Sequence, residues 1–284
     1  MEMTVSDGLM AALVVQLVIV IGLPILLLVR WYKHTHAPML PAVVGMVIYM
    51  IFVQALQQIL HGAFLLSSNP ISKAINGSPW LYALYVGLAA GLFEETGRFM
   101  GFKYLLRRYP QRETAISYGI GHGGYECLAI AGLTTLSYLI LAAFINSGTV
   151  PTILEMYPAQ QADLIEEILA QVAQITTFEC IWSSIERVVA LVMQISLSVL
   201  VFVSVQQAET RGSYYLIAIV LHMLTGISAG LYQAGILSGN RGMVAAILLN
   251  LLVTLVAVFL ARRSWRQLPE PTAPDTSEKP NFPM

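Results

Sequence analysis

The stretch Trp80-Leu-Tyr-Ala-Leu-Tyr-Val-Gly-Leu-Ala-Ala-Gly-Leu-Phe-Glu94-Glu95-Thr-Gly-Arg98-Phe-Met-Gly-Phe102 decides how the chain is read. Its aliphatic and aromatic residues are those of a helix in lipid, yet two adjacent carboxylates and a guanidinium sit in its middle. On insertion scales an Asp, Lys or Arg at the centre of a spanning helix costs roughly 2.5–3.5 kcal/mol. A chain that keeps three such groups together uses them, and the functional argument starts from Glu94, Glu95 and Arg98.

The rest of the chain agrees that the setting is a membrane. Of 284 residues 57% are hydrophobic and only 11% charged, with a mean hydropathy of +0.70. A soluble domain carries about 25% charged residues. The expected fold is therefore all-α, a polytopic membrane helix bundle. A spanning helix needs roughly 20 mostly apolar residues, and seven segments qualify, at about 9–29, 40–62, 80–106, 115–145, 178–205, 213–236 and 242–261. The turn-rich stretch Ser67 to Pro79 reads as a loop. A net charge of −1 gives no electrostatic case for nucleic acid. Cys127 and Cys180 form no ligand motif, and no disulfide is expected. Residues Met1 to Gly8 hold no Lys or Arg, so the first apolar run reads as a retained helix rather than a cleaved signal.

The basic residues predict orientation. With the N-terminus outside, Arg30, Lys33, Lys103, Arg107, Arg108, Arg112, Arg211, Arg262, Arg263, Arg266 and Lys279 are cytoplasmic, and only Lys73 and Arg241 fall opposite. That bias predicts an N-out, C-in bundle of about seven spans. The segment Ser147 to Thr177 carries no Lys or Arg. Its Leu164, Ile165, Ile168, Leu169, Val172 and Ile175 recur at helical spacing, so an amphipathic helix on the outer face is expected, either a connector or a lid. Residues 1–266 read as one transmembrane domain with a core at about 80–236. Residues 267–284, rich in proline, read as a disordered cytoplasmic tail.

Polar groups recur in other spans. The fourth has Gly119-Ile-Gly121-His122-Gly123-Gly124-Tyr125-Glu126, the fifth Ser183-Ser184-Ile-Glu186-Arg187, and the sixth His222. At 1.5 Å per residue, Glu94, Glu126 and His222 fall near one plane, with Glu186 a little further out. They are expected to line one water-filled cavity. Helical spacing lets Arg98 reach either Glu94 or Glu95 and puts His122 and Glu126 on one face. Glu186 and Arg187, being adjacent, are expected to diverge, at least one reaching another helix. The glycines around His122 invite close approach by a helix, by water or by an extended peptide. Gln54, Gln57, Gln58 and His61 read as interhelical glue or interfacial groups.

With Phe93-Glu94-Glu95-Thr-Gly-Arg98, then His122-Gly-Gly-Tyr-Glu126, then His222, the chain resembles the YhfC family, part of a superfamily of intramembrane proteases with the type II CAAX-protease, bacteriocin-processing and PrsW-like proteins. The resemblance covers roughly residues 80–230. It implies a multi-pass protein of a bacterial or archaeal cell membrane, a membrane-embedded or lipid-adjacent peptide as substrate, and the lipid bilayer as surroundings. It also implies that Glu94 activates water, that Glu95 supports it or binds a metal, that Arg98 positions the pair, and that Glu126 and His222 supply the second and third motifs. Arg98 is one residue closer to the pair than in the commonest form of the motif, and Gly226 stands where Asn or Asp is usual. Glu186 and Arg187 have no counterpart in the three motifs.

Peptide-bond hydrolysis needs a deprotonated water and a donor to the oxyanion. Glu94 is the candidate base, tuned by Glu95 or Arg98, with His122 or His222 donating to the oxyanion or to the leaving amine. No cofactor is expected, because a compact His-Glu-x-x-His element is lacking. Zn²⁺ is the possible metal, held by Glu95 or Glu94 with His122, Glu126 and His222. The rival readings are a proton- or cation-coupled transporter, a non-catalytic scaffold of the same fold, and a seven-helix receptor.

Overall fold

The computed structural model describes residues 3–207, 209 and 211–268, and among them there are helices and turns but no strand. Helices begin where a side chain can satisfy the first amide groups. Ser6 Oγ accepts from the Leu9 amide at 3.2 Å to open α1 (Asp7–Thr35), which ends on His36 in the left-handed conformation. After α2 (Leu40–Leu66), Asn69 caps a short α3 (Pro70–Asn76), with Pro70 at the first position. Ser78 caps α4 (Pro79–Met100), which continues as a π-helical turn, Gly101–Leu105. α5 (Glu113–Asn146) also contains a π-helical turn, Leu128–Gly132. α6 (Val150–Leu154) and α7 (Ala159–Gln174) follow. A reciprocal cap between Thr176 and Glu179 opens α8 (Thr177–Gln206). The last two helices are α9 (Arg211–Gln233) and α10 (Gly239–Trp265).

Every predicted span overlies a helix. Six of the described helices (α1, α2, α5, α8, α9 and α10) are long and apolar enough to cross a membrane. α4 is not among them, and Glu94, Glu95 and Arg98 are the polar residues that lower its apolarity. Two connections differ from expectation. The predicted loop Ser67–Pro79 contains α3, because Asn69 followed by Pro70 is a helix start rather than a turn. The segment 147–177 holds two helices, not one, and α7 matches the amphipathic pattern: Leu169 and Val172 are buried against Leu9, Leu13, Ala142 and Ile145. Of the predicted tail 267–284, Gln267 and Leu268 are described, with Leu268 buried in an apolar cluster with Leu200 and Phe202, and the remainder lies outside the described residues.

α8 is the hub. Its most apolar window is 72% buried, against 22–33% for the other five. Along it Cys180 joins the α1–α7 cluster, and Leu197 to Val203 join a second cluster with Phe102, Tyr118 and Leu106. Between these apolar layers α8 carries the polar residues Glu186, Arg187 and Gln194. Two seams bring the other polar helices to α8. α2 meets α5 at Gly121, where a Cβ would collide with the Ala42 carbonyl. α4 meets α9 at Gly226, whose Cβ would stand 2.7 Å from Gly87 Cα. Small residues let the backbones approach. Of the three approaches the His122 glycines allowed, the one realised is a neighbouring helix.

Candidate functional site

The site begins with a fully buried pair on α4. Arg98 donates from Nε to Glu95 Oε2 at 2.9 Å and from a terminal nitrogen to Oε1 at 3.3 Å, and both side chains have no solvent exposure. Arg98 thus chooses Glu95 over Glu94. Its other donors go to α8: the Gln194 carbonyl at 3.0 Å, the Gln194 side-chain oxygen and Ser198 Oγ. The guanidinium also lies 5.8 Å from the centre of the Tyr118 ring. A buried charge needs this degree of satisfaction to be tolerated.

Because Arg98 donates to the Gln194 side-chain oxygen Oε1, the side-chain nitrogen is turned the other way. It donates to Glu94 Oε2 at 3.1 Å and to Glu126 Oε2 at 2.6 Å. One side chain therefore joins carboxylates of α4 and α5. Glu94 Oε2 also lies 3.1 Å from His122 Nε2. His122 is held between Tyr118, stacked at 5.8 Å, and Tyr49, edge-on at 5.3 Å, and its Nδ1 finds no partner among the described protein groups. It bonds Glu94 rather than Glu126, its neighbour one turn along. On α9, His222 Nδ1 stands 2.6 Å from Glu95 Oε1, while its Nε2 faces Glu94 Oε1 at 3.6 Å, too long for a direct hydrogen bond.

Glu126 leads on to α8. Arg187 donates to Glu126 Oε1 at 3.3 Å and forks onto Glu186. The expectation that Glu186 and Arg187 diverge is corrected: the long guanidinium side chain curls back onto the adjacent carboxylate and still reaches α5. All seven predicted residues (Glu94, Glu95, Arg98, His122, Glu126, Glu186 and His222) belong to one hydrogen-bonded and ionic network on four helices.

A cavity of about 250 Å³ opens onto it, walled in part by Glu94, Glu126, Glu186, Arg187, Gln194 and His222. Glu95, Arg98 and His122 stand behind that wall. α10 adds Asn250 and Thr254, whose Oδ1 and Oγ1 are buried without a described protein partner. Sequence reasoning missed Gln194, Ser198, Asn250 and Thr254. The first two were findable: they follow Arg187 at seven and eleven residues, on the same face of an apolar helix. The glue assigned to α2 is present, with Tyr125 donating to Gln54 at 2.9 Å and His61 Nδ1 2.9 Å from the Tyr85 hydroxyl.

The fold and site define a class: a multi-pass helical membrane protein whose bundle encloses acids, imidazoles and guanidinium groups around a cavity. The family model described as YhfC intramembrane metalloprotease matches residues 19–249, and the chain belongs to that family. A protein of Bacillus subtilis (strain 168) named uncharacterized membrane protein YhfC is 34% identical over 216 residues, 76% of this chain and 81% of that protein. No solved structure matches the chain. The family resemblance read from Glu94, Glu95, Arg98, His122, Glu126 and His222 is thereby borne out.

The family description implies a metal, and the donor chemistry suits zinc. Two imidazole Nε2 atoms face one carboxylate, and Glu95 orients His222 through Nδ1, as carboxylates orient zinc-binding histidines. Both oxygens of Glu95 are engaged by Arg98 and His222, which leaves Glu94 as the carboxylate facing both rings. Among the described residues no three His, Cys, Asp or Glu side chains already converge on a metal position.

Proposed function

We propose that this protein hydrolyses a peptide bond of a membrane-embedded or lipid-adjacent substrate, in the cavity at Glu94. The observation that carries the reading is the placement of Glu94. It sits on the cavity wall with Gln194 Nε2 and His122 Nε2 each 3.1 Å from Oε2, and with His222 Nε2 turned toward Oε1.

Glu94 takes the proton of the attacking water as general base. Gln194 holds the Glu94 carboxylate in register with Glu126 and fixes its orientation. His222, which borders the cavity, donates to the carbonyl oxygen as charge develops there or protonates the leaving amine. Glu95, Arg98 and His122 do not reach the cavity and act as positioning residues. Asn250 and Thr254 of α10 complete the polar wall of the cavity. Glu94, His122 and His222 are the residues that would hold a zinc ion, and Glu126 would then be the base. Zinc, when bound, supplies Lewis-acid polarisation of the scissile carbonyl. The seven-span, N-out, C-in arrangement is part of the proposal and is supported by the distribution of Lys and Arg.

The test is a comparison of newly formed peptide N-termini in membranes carrying the wild-type protein or Glu94→Gln. The expected result is a set of membrane peptides produced only by the wild type, with equal protein levels. Identical N-termini in both would overturn the reading. Solute flux in liposomes without cleavage would favour the transporter.

A further inference from the structure

Among the charged members of the polar network, exposure is greatest at Glu186 and is lost at the residues behind the cavity wall. The Glu186 side chain is 24% exposed, Arg187 12%, Glu126 11%, His222 9% and Glu94 8%, while Glu95, Arg98 and His122 have none. The most open member is therefore the one nearest the start of α8. Two further cavities share Glu186 and Arg187 as wall residues with the 250 Å³ cavity. One, of about 320 Å³, runs from Glu186 and Arg187 past Ser183, Thr135 and Tyr138 to Glu179 and Ile175, at the start of α8. The other, of about 210 Å³, shares Glu186 and Arg187 with both and also touches Ser183, Gln233 and Asn250. In the opposite direction the way is shut: Phe102, Tyr118, Leu197, Leu200 and Phe202 are all 2% exposed or less and pack together beneath Arg98.

We infer that the three cavities form one polar entry route, and that Glu186 and Arg187 are its threshold. Water and the polar flank of the substrate reach Glu94 from the end of the bundle where α8 begins, and not from the end where α4 leaves the bundle. This gives a role to two residues that lie outside the three motifs. Arg187 is a positioning residue: it closes the cavity mouth against Glu186 and holds Glu126 from the same guanidinium. An extended chain entering past Ser183 meets this pair before it meets Glu94. The inference rests on the hydrolytic reading for the chemistry delivered at the end of the route, but its test does not depend on cleavage.

The experiment uses the full chain with Cys127→Ala and Cys180→Ala, and a single reporter, Ala190→Cys, which lines the inner cavity alone. The protein is placed in membrane vesicles of known sidedness, and a small, charged, membrane-impermeant thiol reagent is added to one face or the other. Labelling is expected from the face on which α8 begins, and to slow several-fold when Ser183→Trp is added to fill both outer cavities. Ser183→Leu, a smaller step, is the second plug should the tryptophan variant fail to fold, and the sidedness measurement needs no plug. A reporter inside the apolar groove beside Val199, which shares no wall with the route, is expected to be indifferent to the plug. Labelling of Ala190→Cys from the opposite face, or at an unchanged rate with the route filled, would overturn the inference. Failure of the Glu94→Gln comparison with normal sided labelling would instead remove the hydrolytic reading and leave the route.

Discussion

His222 Nδ1 stands 2.6 Å from Glu95 Oε1, and this contact decides which way the imidazole faces. With Nδ1 occupied, Nε2 is directed at Glu94. Glu95 therefore acts twice without touching the cavity: it turns His222 and it neutralises Arg98. Removing one member of a buried ion pair costs about 3–5 kcal/mol, because the other charge is left unpaired. Glu95→Leu and Arg98→Leu are each expected to lower stability by about that amount. The double variant is expected to recover a large part of the loss, since two apolar side chains leave no orphaned charge. Thermal unfolding of the four proteins in detergent reads the cycle. Additive losses would mean that the two residues do not act as a pair.

Gln194 is the link between the two halves of the network. Its oxygen is fixed by Arg98, so its nitrogen is committed to Glu94 and Glu126. Gln194→Leu keeps volume and helix propensity close to wild type but removes the donor to both carboxylates. Loss of one preorganised donor typically lowers kcat by about 10²–10³-fold. A drop of that size, with KM little changed, is expected once a cleaved peptide is in hand, together with a lower unfolding temperature, because the side-chain oxygen that accepts from buried Arg98 is lost as well. A raised KM with kcat unchanged would assign Gln194 to binding instead.

The sequence made the spans legible because twenty apolar residues in a row form a strong and local signal. The predicted 178–205 segment and the observed Thr177–Gln206 helix nearly coincide. Membership of the polar network was legible for the charged residues for a related reason: charge in an apolar run stands out. Gln194 and Ser198 were overlooked because uncharged polar residues are common in spanning helices, and only their register with Arg187 marks them. Pairing was the least legible. Spacing allowed Arg98 to meet Glu94 or Glu95, and it was the acceptors on α8, Gln194 and Ser198, that fixed the guanidinium on the latter. For Glu186 and Arg187, chain adjacency suggested divergence, but side-chain length overrode it. The π-helical turns at Gly101–Leu105 and Leu128–Gly132 had no sequence signal that was used.

Metal content separates the two forms of the mechanism. His222 and His122 both turn Nε2 toward Glu94, so a zinc ion held there depends on all three side chains. If the metal form holds, zinc in purified wild-type protein is expected to be lost in His222→Ala and retained in Gln194→Leu, measured by elemental analysis of protein in detergent; wild-type protein free of zinc is expected if Glu94 activates water alone. Retention of the metal in His222→Ala would place it elsewhere. Cleavage by protein shown to be free of metal would leave Glu94 as the sole activator of water.

Gly226 stands where the motif resemblance led to an expectation of Asn or Asp, and the α4–α9 seam accounts for a glycine there. A Cβ at this position would lie 2.7 Å from Gly87 Cα, a backbone atom that cannot step aside. Gly226→Asn is therefore not expected to restore a lost polar group. It pushes α9 away from α4, and with it His222 away from Glu94 and Glu95. Overpacking of this kind typically costs about 1–3 kcal/mol, and the displaced imidazole is expected to lower activity as well. Gly226→Ala, which adds only the Cβ, should show most of the same loss in unfolding temperature. Two variants as stable as wild type, or an asparagine variant with raised activity, would show that the helices are not held at contact distance by this glycine.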